Sequence, residues 1–178
     1  MASAFSHIAI PAVMYIAFRS DSVNWRLFLI AAFLSIAPDL DVLAFKLGID
    51  YASQWGHRGF THSLFFAVCI SAVMTLFHPK LKSTPPVIFT FCFLSCASHA
   101  ILDALTNGGL GVALYWPFSA ERVFLPSRPI QVSPIGIASF FSEKGLRVMA
   151  SELQWVLMPA LGVSFVAAIS RYICAKKT

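Results

Sequence analysis

Uncharged, mostly apolar runs alternate with short polar segments along the whole chain. The stretches without Asp, Glu, Lys or Arg include five candidate helices, at positions 1–18, 27–38, 59–79, 83–102 and 153–170. A helix that crosses a bilayer needs about 20 apolar residues, with a range of about 17 to 25. Four of the five stretches reach or approach that length. The pattern therefore predicts an all-α bundle of about four to five transmembrane helices.

The second stretch, 27–38, is too short to span a bilayer by itself, and it ends at a helix break. Pro38 removes a backbone donor and disfavours helix at the preceding residue. This stretch spans the membrane only if Trp25 and Arg26 lie at the interface and the helix continues past Pro38. Otherwise it forms a shallow or re-entrant helix. Residues 42–56 are expected to form a surface excursion.

The second half of the chain is less regular than the first. A long connection is predicted from residue 112 to about residue 151, and a connection of that length is usually functional or a lid. A last spanning helix is predicted from Glu152 to Arg171. We interpret residues 1–178 as a single membrane-embedded domain, with the motif-bearing part in 1–120 and the long loop and last helix in 121–178.

Composition supports the membrane class and argues against a nucleic-acid partner. Hydrophobic residues make up 58% of the chain and charged residues 12%, against about 25% charged residues in typical soluble domains. The net charge of +5 comes from 13 Lys and Arg residues that are scattered singly between apolar runs and form no basic face. We therefore expect the lipid bilayer, and no nucleic acid, as a partner.

Polar chemistry concentrates in one short stretch, His57-Arg58-Gly59-Phe60-Thr61-His62-Ser63. Ionisable groups beside apolar segments cost free energy unless they are paired, hydrated or bound to a metal. If successive helices alternate in direction, this stretch shares one membrane face with further acids and imidazoles. The candidate metal ligands at that face are His7, Asp39, Asp41, His57, His62, His99 and Asp103.

Most of these candidates, taken alone, also have an ordinary structural explanation. Asp39 and Asp41 can form a turn in which aspartate bonds its own backbone. Each lone histidine can be a satisfied residue at the interface or at a helix end. His99 and Asp103 are four residues apart on a helix, so both side chains can reach a common ion. His78 falls at the opposite face and is expected to be solvated.

Charge favours a bound cation at the predicted cluster. Asp39, Asp41 and Asp103 would gather three carboxylates at a membrane boundary, which one or two divalent cations would neutralise. Mixed His and Asp ligands favour zinc, with manganese or iron as alternatives, and the candidates exceed the four ligands of one tetrahedral zinc. Two ions can activate water and stabilise both oxygens of a phosphoester. Arg58 is then expected to bind the phosphate, and Thr61 to form a hydrogen bond to a metal ligand.

The polar motifs also carry a family resemblance. They are Pro38-Asp39-Leu40-Asp41, His57-Arg58-Gly59-Phe60-Thr61-His62-Ser63, Ser98-His99-Ala100-Ile101-Leu102-Asp103 and Trp116-Pro117-Phe118. With these motifs in this order, the chain resembles the YdjM-like family of bacterial inner-membrane, metal-dependent hydrolases over roughly residues 1–120. The resemblance implies a small multi-spanning helical protein whose metal-hydrolase site is formed by the candidate ligands named above. A more distant likeness to helical zinc-dependent phospholipase C enzymes suggests phosphoester chemistry.

We therefore expect a metal-dependent hydrolase of the bacterial inner membrane that acts on a phosphoester of a lipid or lipid-linked molecule. One alternative is a non-catalytic membrane protein that binds metal or haem for a structural, sensing or transport role. Another is a structural membrane protein whose polar groups only cap helices. The end away from the cluster carries most of the basic residues near helix ends: Arg19, Arg26, Lys80, Lys82, Arg171, Lys176 and Lys177. The positive-inside rule then places the cluster on the non-cytoplasmic face. The pattern specifies no oligomeric state.

Overall fold

The computed structural model describes residues 1–134 and 142–176, and these residues form helices joined by turns and loops. The α-helices are α1 (Ala4–Phe18), α2 (Trp25–Leu34), α3 (Leu64–Thr75), α4 (His78–Leu81), α5 (Pro85–Ala104), α6 (Glu143–Glu152) and α7 (Met158–Ala175). The first 3-10 helix is Ala37–Leu47, the second is Phe60–His62, and a π-helical stretch covers Leu153–Leu157. The all-α prediction is confirmed for this part of the chain.

Capping residues explain where two of the apolar helices begin. The Asn24 side chain accepts hydrogen bonds from the backbone N–H groups of Arg26 and Leu27, at 3.0 and 3.3 Å. The Ser63 hydroxyl accepts one from the Phe66 N–H at 3.0 Å. Such residues satisfy N–H groups that the first helical turn leaves without partners. The local sequence therefore sets the starts of α2 and α3.

The second apolar segment continues past its proline. α2 ends at Leu34, and the first 3-10 helix follows, so helical structure covers Trp25–Leu47 with a mean hydropathy of 2.0. Proline suits the first turn of a helix, because its missing N–H would have no partner there. Residues 42–47 of the expected surface excursion are therefore helical. The 3-10 helix ends at Gly48, which has a left-handed φ of 74°.

The last helical segment is longer than predicted. α6, the π-helical stretch and α7 follow one another without a break over Glu143–Cys174, 32 residues. The predicted connection is therefore wrong over its last part, and residues 135–141 within it lie outside the described residues. Uncharged runs do not indicate α6, because Lys144 and Arg147 lie within it. Both are exposed, whereas Val148 on the same helix is buried.

α5 lies at the centre of the bundle and α7 at its surface. α5 packs against α1, α2 and α3, and 61% of its apolar 18-residue window is buried inside the protein. By contrast, only 6% of the apolar window in Glu143–Cys174 is buried. Leu161, Phe165 and Val166 of α7 are each at least 63% exposed. A contiguous apolar surface of this kind is typical of a helix that faces lipid.

Three helical segments are long and apolar enough to cross a membrane: Trp25–Leu47, Pro85–Ala104 and Glu143–Cys174. α1 and α3 are shorter apolar helices of 15 and 12 residues. α1 packs against α2, α5 and α7, and α3 packs against α5. The described chain is thus a multi-spanning helical bundle.

Candidate metal centre

Four elements bring acidic and imidazole side chains together at one end of the bundle. These side chains lie near the start of α1, in the first 3-10 helix, at the end of the second 3-10 helix and in the last turns of α5: His7, Asp39, His62, His99 and Asp103. The imidazoles and Asp103 are at most 1% exposed, and the Asp39 side chain is 13% exposed. The group therefore forms only when distant parts of the chain have folded together.

The imidazoles of His62 and His99 face each other. Their Nε2 atoms are 3.0 Å apart. His99 Nδ1 donates to the Ser35 carbonyl oxygen at 2.8 Å, and His62 Nδ1 lies 3.3 Å from a carboxylate oxygen of Asp41. In the neutral rings both Nδ1 atoms therefore carry the hydrogen, and both Nε2 atoms present lone pairs to one point. Lone pairs this close repel each other unless a proton or a metal cation lies between them.

Two carboxylates complete what we call the four-residue cluster, Asp39, His62, His99 and Asp103. Asp39 Oδ1 lies 3.4 Å from His99 Nε2 and 3.6 Å from His62 Nε2. Asp103 Oδ2 lies 3.6 Å from His62 Nε2. One ligand atom from each residue lies within 4.8 Å of all the others. Zinc bonds of about 2.0–2.1 Å place tetrahedral ligand atoms about 3.3 Å apart, so small shifts would let this cluster hold a metal ion.

His7 adjoins the four-residue cluster and has no hydrogen-bond partner among the described residues. Both of its ring nitrogens are buried and unpaired, as is Asp39 Oδ1. His7 Nε2 lies 3.6 Å from Asp103 Oδ1 and 3.9 Å from Asp39 Oδ2, and its ring stacks on His99 with centroids 3.8 Å apart. Buried polar atoms without partners are costly. A cation at this point would give these atoms a partner.

Asp41 and His57 lie beside the four-residue cluster and are hydrogen-bonded to each other. Asp41 Oδ1 accepts from His57 Nδ1 at 2.6 Å. Asp41 Oδ2 accepts from the Arg58 backbone N–H at 3.1 Å and from the Thr61 hydroxyl at 2.7 Å. Asp41, His57 and His62 also lie close enough together to hold an ion. Their contacts are nevertheless those of a carboxylate that orients a metal-binding histidine.

The Arg58 guanidinium is fully buried and bound within the protein. Its Nε donates to Asp103 Oδ2 at 3.1 Å. Nη1 donates to the carbonyl oxygens of Gly108 and Leu110 at 3.0 and 2.8 Å, and Nη2 donates to the Thr106 hydroxyl at 2.8 Å. Because a guanidinium has five N–H groups, these contacts use all but one of them. Arg58 thus ties one oxygen of Asp103 to the loop that follows α5.

The backbone around Arg58 is tightly constrained. Arg58 itself has a φ of 65°, a left-handed conformation that is uncommon outside glycine and often marks functional sites. Gly109 has a φ of 81°, and a Cβ there would lie 2.8 Å from the Tyr51 hydroxyl oxygen and 3.2 Å from Arg58 Nη1. Glycine at this position therefore lets the loop close over the guanidinium.

Negative charge is concentrated at the centre. Three buried or half-buried carboxylates, those of Asp39, Asp41 and Asp103, interact there with the Arg58 guanidinium and the buried α-amino group of Met1. Burial alone would lower the pKa of His62. The carboxylates of Asp103, Asp39 and Asp41 outweigh burial and raise the pKa of His62 to about 10. A position that favours a proton so strongly also favours a metal cation.

The sequence analysis does not identify Glu152, which anchors the N-terminal segment beside the centre. Glu152 ends α6 and is 2% exposed. Its carboxylate accepts from the Ser3 backbone N–H at 2.5 Å and from the Ser3 hydroxyl. The neighbouring Ala2 N–H donates to Asp103 Oδ1 at 2.6 Å. The sequence feature that points to Glu152 is its position: it is an acidic residue at the start of an apolar membrane segment, where ionisable groups are costly.

Arg122 of the long loop is a second residue without a clear sequence signal. Its guanidinium donates to the carbonyl oxygens of His57, Tyr51 and Ser53 at 2.7, 2.9 and 2.7 Å. Nothing in the local sequence separates this arginine from the other cations of the loop. Its three acceptors lie more than 60 positions earlier in the chain. The loop therefore braces the segment that carries His57 and Arg58.

Replacing Glu152 with alanine is expected to lower the free energy of unfolding by about 2 kcal/mol, because the buried Ser3 N–H and hydroxyl lose their acceptor. Thermal or chemical unfolding in detergent micelles measures the change. Glu143→Ala is the matched control, since Glu143 is an exposed acid on the same helix, and we expect a change within about 0.5 kcal/mol. Equal losses in the two variants would contradict an anchoring role for Glu152.

The fold and the centre together define a class, a multi-spanning helical membrane protein with a buried His/Asp cluster that can hold a metal ion. The chain belongs to the YdjM inner membrane protein family, whose profile matches residues 1–175. It is 37% identical over 163 residues to "Inner membrane protein YbcI" of Escherichia coli (strain K12), which covers 90% of this chain and 94% of that protein. No solved structure matches the chain. The protein is therefore a multi-pass inner membrane protein, as the sequence predicts.

Proposed function

We propose that this protein is a membrane-embedded, metal-dependent hydrolase that cleaves a phosphoester of a lipid or lipid-linked molecule. The observation that carries the proposal is the pair of Nε2 atoms, 3.0 Å apart, on His62 and His99. They face the carboxylates of Asp39 and Asp103 in a buried place. Without a metal, this contact needs a proton on one of the two Nε2 atoms, and a metal cation can take the place of that proton.

The four-residue cluster is assigned to ion binding, with His7 as a further ligand. When bound, a divalent ion such as zinc, manganese or iron turns water into a nucleophile near neutral pH. The surrounding residues orient the ligands before any substrate arrives. The Asp41 carboxylate holds His62, and the Ser35 carbonyl oxygen holds His99. Partners of this kind set the tautomer and the direction of a metal-binding imidazole.

A single ion fits the centre better than two. Asp41 already accepts hydrogen bonds from His57, Thr61 and the Arg58 backbone, so a second ion would displace them. We therefore propose Asp41 and His57 as positioning residues and not as ligands of a second ion.

Arg58 is proposed to position Asp103, in place of the phosphate-holding role that the sequence suggests. Its guanidinium is fully buried and has a single N–H group left to donate. A phosphate clamp instead needs a bidentate pair of free N–H groups. Thr61 keeps the supporting role expected of it, since its hydroxyl donates to Asp41 Oδ2.

A lipid phosphoester is proposed as the substrate because of where the centre lies. It is at the end of the apolar helices, and the loop beside it carries Phe118 and Tyr115, which are 89% and 55% exposed. The Ala113 N–H of this loop donates to the Arg58 carbonyl oxygen at 2.9 Å, so the loop is attached to the centre. Exposed aromatic residues at helix ends are typical of the headgroup region. Asp39, the most exposed member of the cluster, marks the side from which a headgroup would approach.

A non-catalytic metal-binding protein with a structural, sensing or transport role is the second candidate function. Four protein ligands are enough to close a tetrahedral zinc site, whereas catalytic zinc keeps one position open for water. The number of available ligands favours this alternative. Haem is disfavoured, since Nε2 atoms 3.0 Å apart leave no room for a porphyrin between His62 and His99.

Metal analysis and a hydrolysis assay on the purified protein test the proposal together. We expect about one zinc, manganese or iron ion per chain, in keeping with a single divalent site. We also expect phospholipid cleavage at a P–O bond, in which water adds to give a phosphomonoester and an alcohol. Chelation should abolish both the bound metal and the cleavage, and returning the ion should restore them.

Two outcomes would contradict the hydrolase proposal. A protein that binds no transition metal would remove its basis. A protein that binds one ion but cleaves no phospholipid, and whose cobalt-substituted form has the visible spectrum of a closed four-coordinate site, would favour the non-catalytic alternative.

A further inference from the structure

A polar pocket lies at the end of the bundle opposite the candidate metal centre. It is a cavity of about 610 Å³ between the end of α1, the start of α2, the turn before α5 and the last turns of α7. Three cationic residues, Arg19, Lys82 and Arg171, line it together with a single acidic residue, Asp21. α5 has 20 residues, a length of about 30 Å, and it separates this pocket from the metal centre.

The cations of this pocket are not neutralised by carboxylates. Among the described residues, no carboxylate lies within ion-pair distance of Arg19, Lys82 or Arg171. Arg171 Nη1 donates to the Arg19 carbonyl oxygen at 2.6 Å, which leaves the charge of its guanidinium uncompensated. Three cations against one carboxylate leave an excess of two positive charges in the lining. Such an excess attracts an anion at a membrane surface.

The pocket is built by contacts between elements and is not a chance grouping of surface side chains. Asn24 Nδ2 donates to the carbonyl oxygens of Leu81 and Lys82 at 2.9 and 3.0 Å, which ties the turn before α5 to the start of α2. Arg26 Nη1 donates to the Lys80 carbonyl oxygen at 2.8 Å. These bonds hold the backbone at Lys82 beside the start of α2.

An apolar groove runs next to the pocket. It measures about 380 Å³, and its lining includes Phe18, Val23, Val87, Phe91 and Leu94. Phe18 and Val23 each adjoin a pocket residue in the sequence, Arg19 and Asn24. Trp25 also lines the pocket, and tryptophan is typical of the membrane interface. A cationic cavity beside an apolar groove suits a molecule with a phosphate headgroup and an acyl chain.

We propose that this pocket binds the phosphate headgroup of an anionic phospholipid, with one acyl chain in the adjacent groove. The two excess positive charges match the two phosphates of diphosphatidylglycerol. A zwitterionic phospholipid carries its own ammonium group and gains less from the pocket. Inorganic phosphate shares the charge of the headgroup but has no chain for the groove. This binding site is separate from the metal centre and requires no hydrolysis.

Lipid-dependent thermal stability of the purified full chain in detergent tests the proposal. Diphosphatidylglycerol, phosphatidylglycerol, phosphatidylcholine and inorganic phosphate are added in separate titrations. Binding to the folded state raises the unfolding midpoint with ligand concentration. We expect diphosphatidylglycerol to raise the midpoint most and phosphatidylcholine to leave it unchanged. In the double variant Arg19→Gln/Lys82→Gln, the half-maximal lipid concentration should rise about thirtyfold, since each basic group contributes a factor of about five.

The matched control is Lys46→Gln/Arg128→Gln, which removes one exposed lysine and one exposed arginine near the other end of the bundle. This control should respond to lipid as the wild type does, and both double variants should keep the wild-type metal content. An equal loss of response in the two double variants would show general charge attraction and overturn the proposal. It would also be overturned if inorganic phosphate stabilised the protein as much as the lipids. An unchanged response in Arg19→Gln/Lys82→Gln would overturn it as well.

Discussion

Replacing Arg58 with methionine is expected to lower the free energy of unfolding by about 3–5 kcal/mol, the usual cost of removing one partner of a buried ion pair. The substitution leaves the Asp103 carboxylate buried without its Nε donor. It also removes the donors to the Gly108 and Leu110 carbonyl oxygens and to the Thr106 hydroxyl. Chemical or thermal unfolding of the variant in detergent micelles measures the loss.

Arg128→Met is the matched control for this experiment. Arg128 is exposed, and its guanidinium lies over the Phe124 ring at 4.9 Å, a contact that contributes about 1 kcal/mol or less at exposed sites. If Arg58→Met cost no more stability than the control, the buried contacts of Arg58 would not support the fold. A variant with wild-type stability and a weakened affinity for phosphate would instead favour the phosphate-holding role.

Replacing His62 with alanine is expected to abolish metal binding, whereas Asp41→Asn should weaken the affinity by about 10–100-fold. The difference follows from geometry. His62 Nε2 faces Asp39, His99 and Asp103, while Asp41 contacts only the other nitrogen of the His62 ring. Metal titration of the purified variants, monitored by calorimetry or with a competing chelator, measures both affinities.

His78→Ala provides the control for the metal titrations, because His78 is an exposed histidine on α4. This variant should bind metal as the wild type does. If Asp41→Asn abolished binding as completely as His62→Ala, Asp41 would be a ligand, and a two-ion centre would replace the single ion proposed above. Wild-type affinity in His62→Ala would exclude the four-residue cluster as the metal site.

Asp39 and Asp41 show how far local sequence can resolve the site. The sequence places both carboxylates near the other candidates, and both do lie there, but within the first 3-10 helix and not at a helix break. Their contacts differ because a 3-10 helix has about three residues per turn, so side chains two positions apart point about 240° apart. Asp39 therefore faces His99, and Asp41 faces His57 and Thr61. No rule of sequence spacing assigns these directions without knowledge of the helix type.

Arg58 marks a limit of the sequence analysis. An arginine between two histidines suggests substrate binding. The sequence alone does not show which groups surround its guanidinium. In the fold, the loop after α5 closes over the guanidinium, and its acceptors come from Asp103 to Leu110, 45 to 52 positions later in the chain. Glu152 and Ser3 are a similar case, since 149 positions separate them. Hydrogen bonds over such separations leave no local pattern.

By itself, the sequence determined the all-helical, membrane-spanning architecture, because long uncharged runs are stable in a bilayer only as hydrogen-bonded helices. It also determined that acids and imidazoles would gather at one end, since successive spanning helices reverse direction. The tertiary structure alone decided which nitrogens and oxygens converge, which side chains contact them, and where the last helical segment contacts the N-terminal segment. Those outcomes depend on distances of a few ångströms between elements. The packing of α1, α5 and the 3-10 helices sets these distances, and local residue preferences do not.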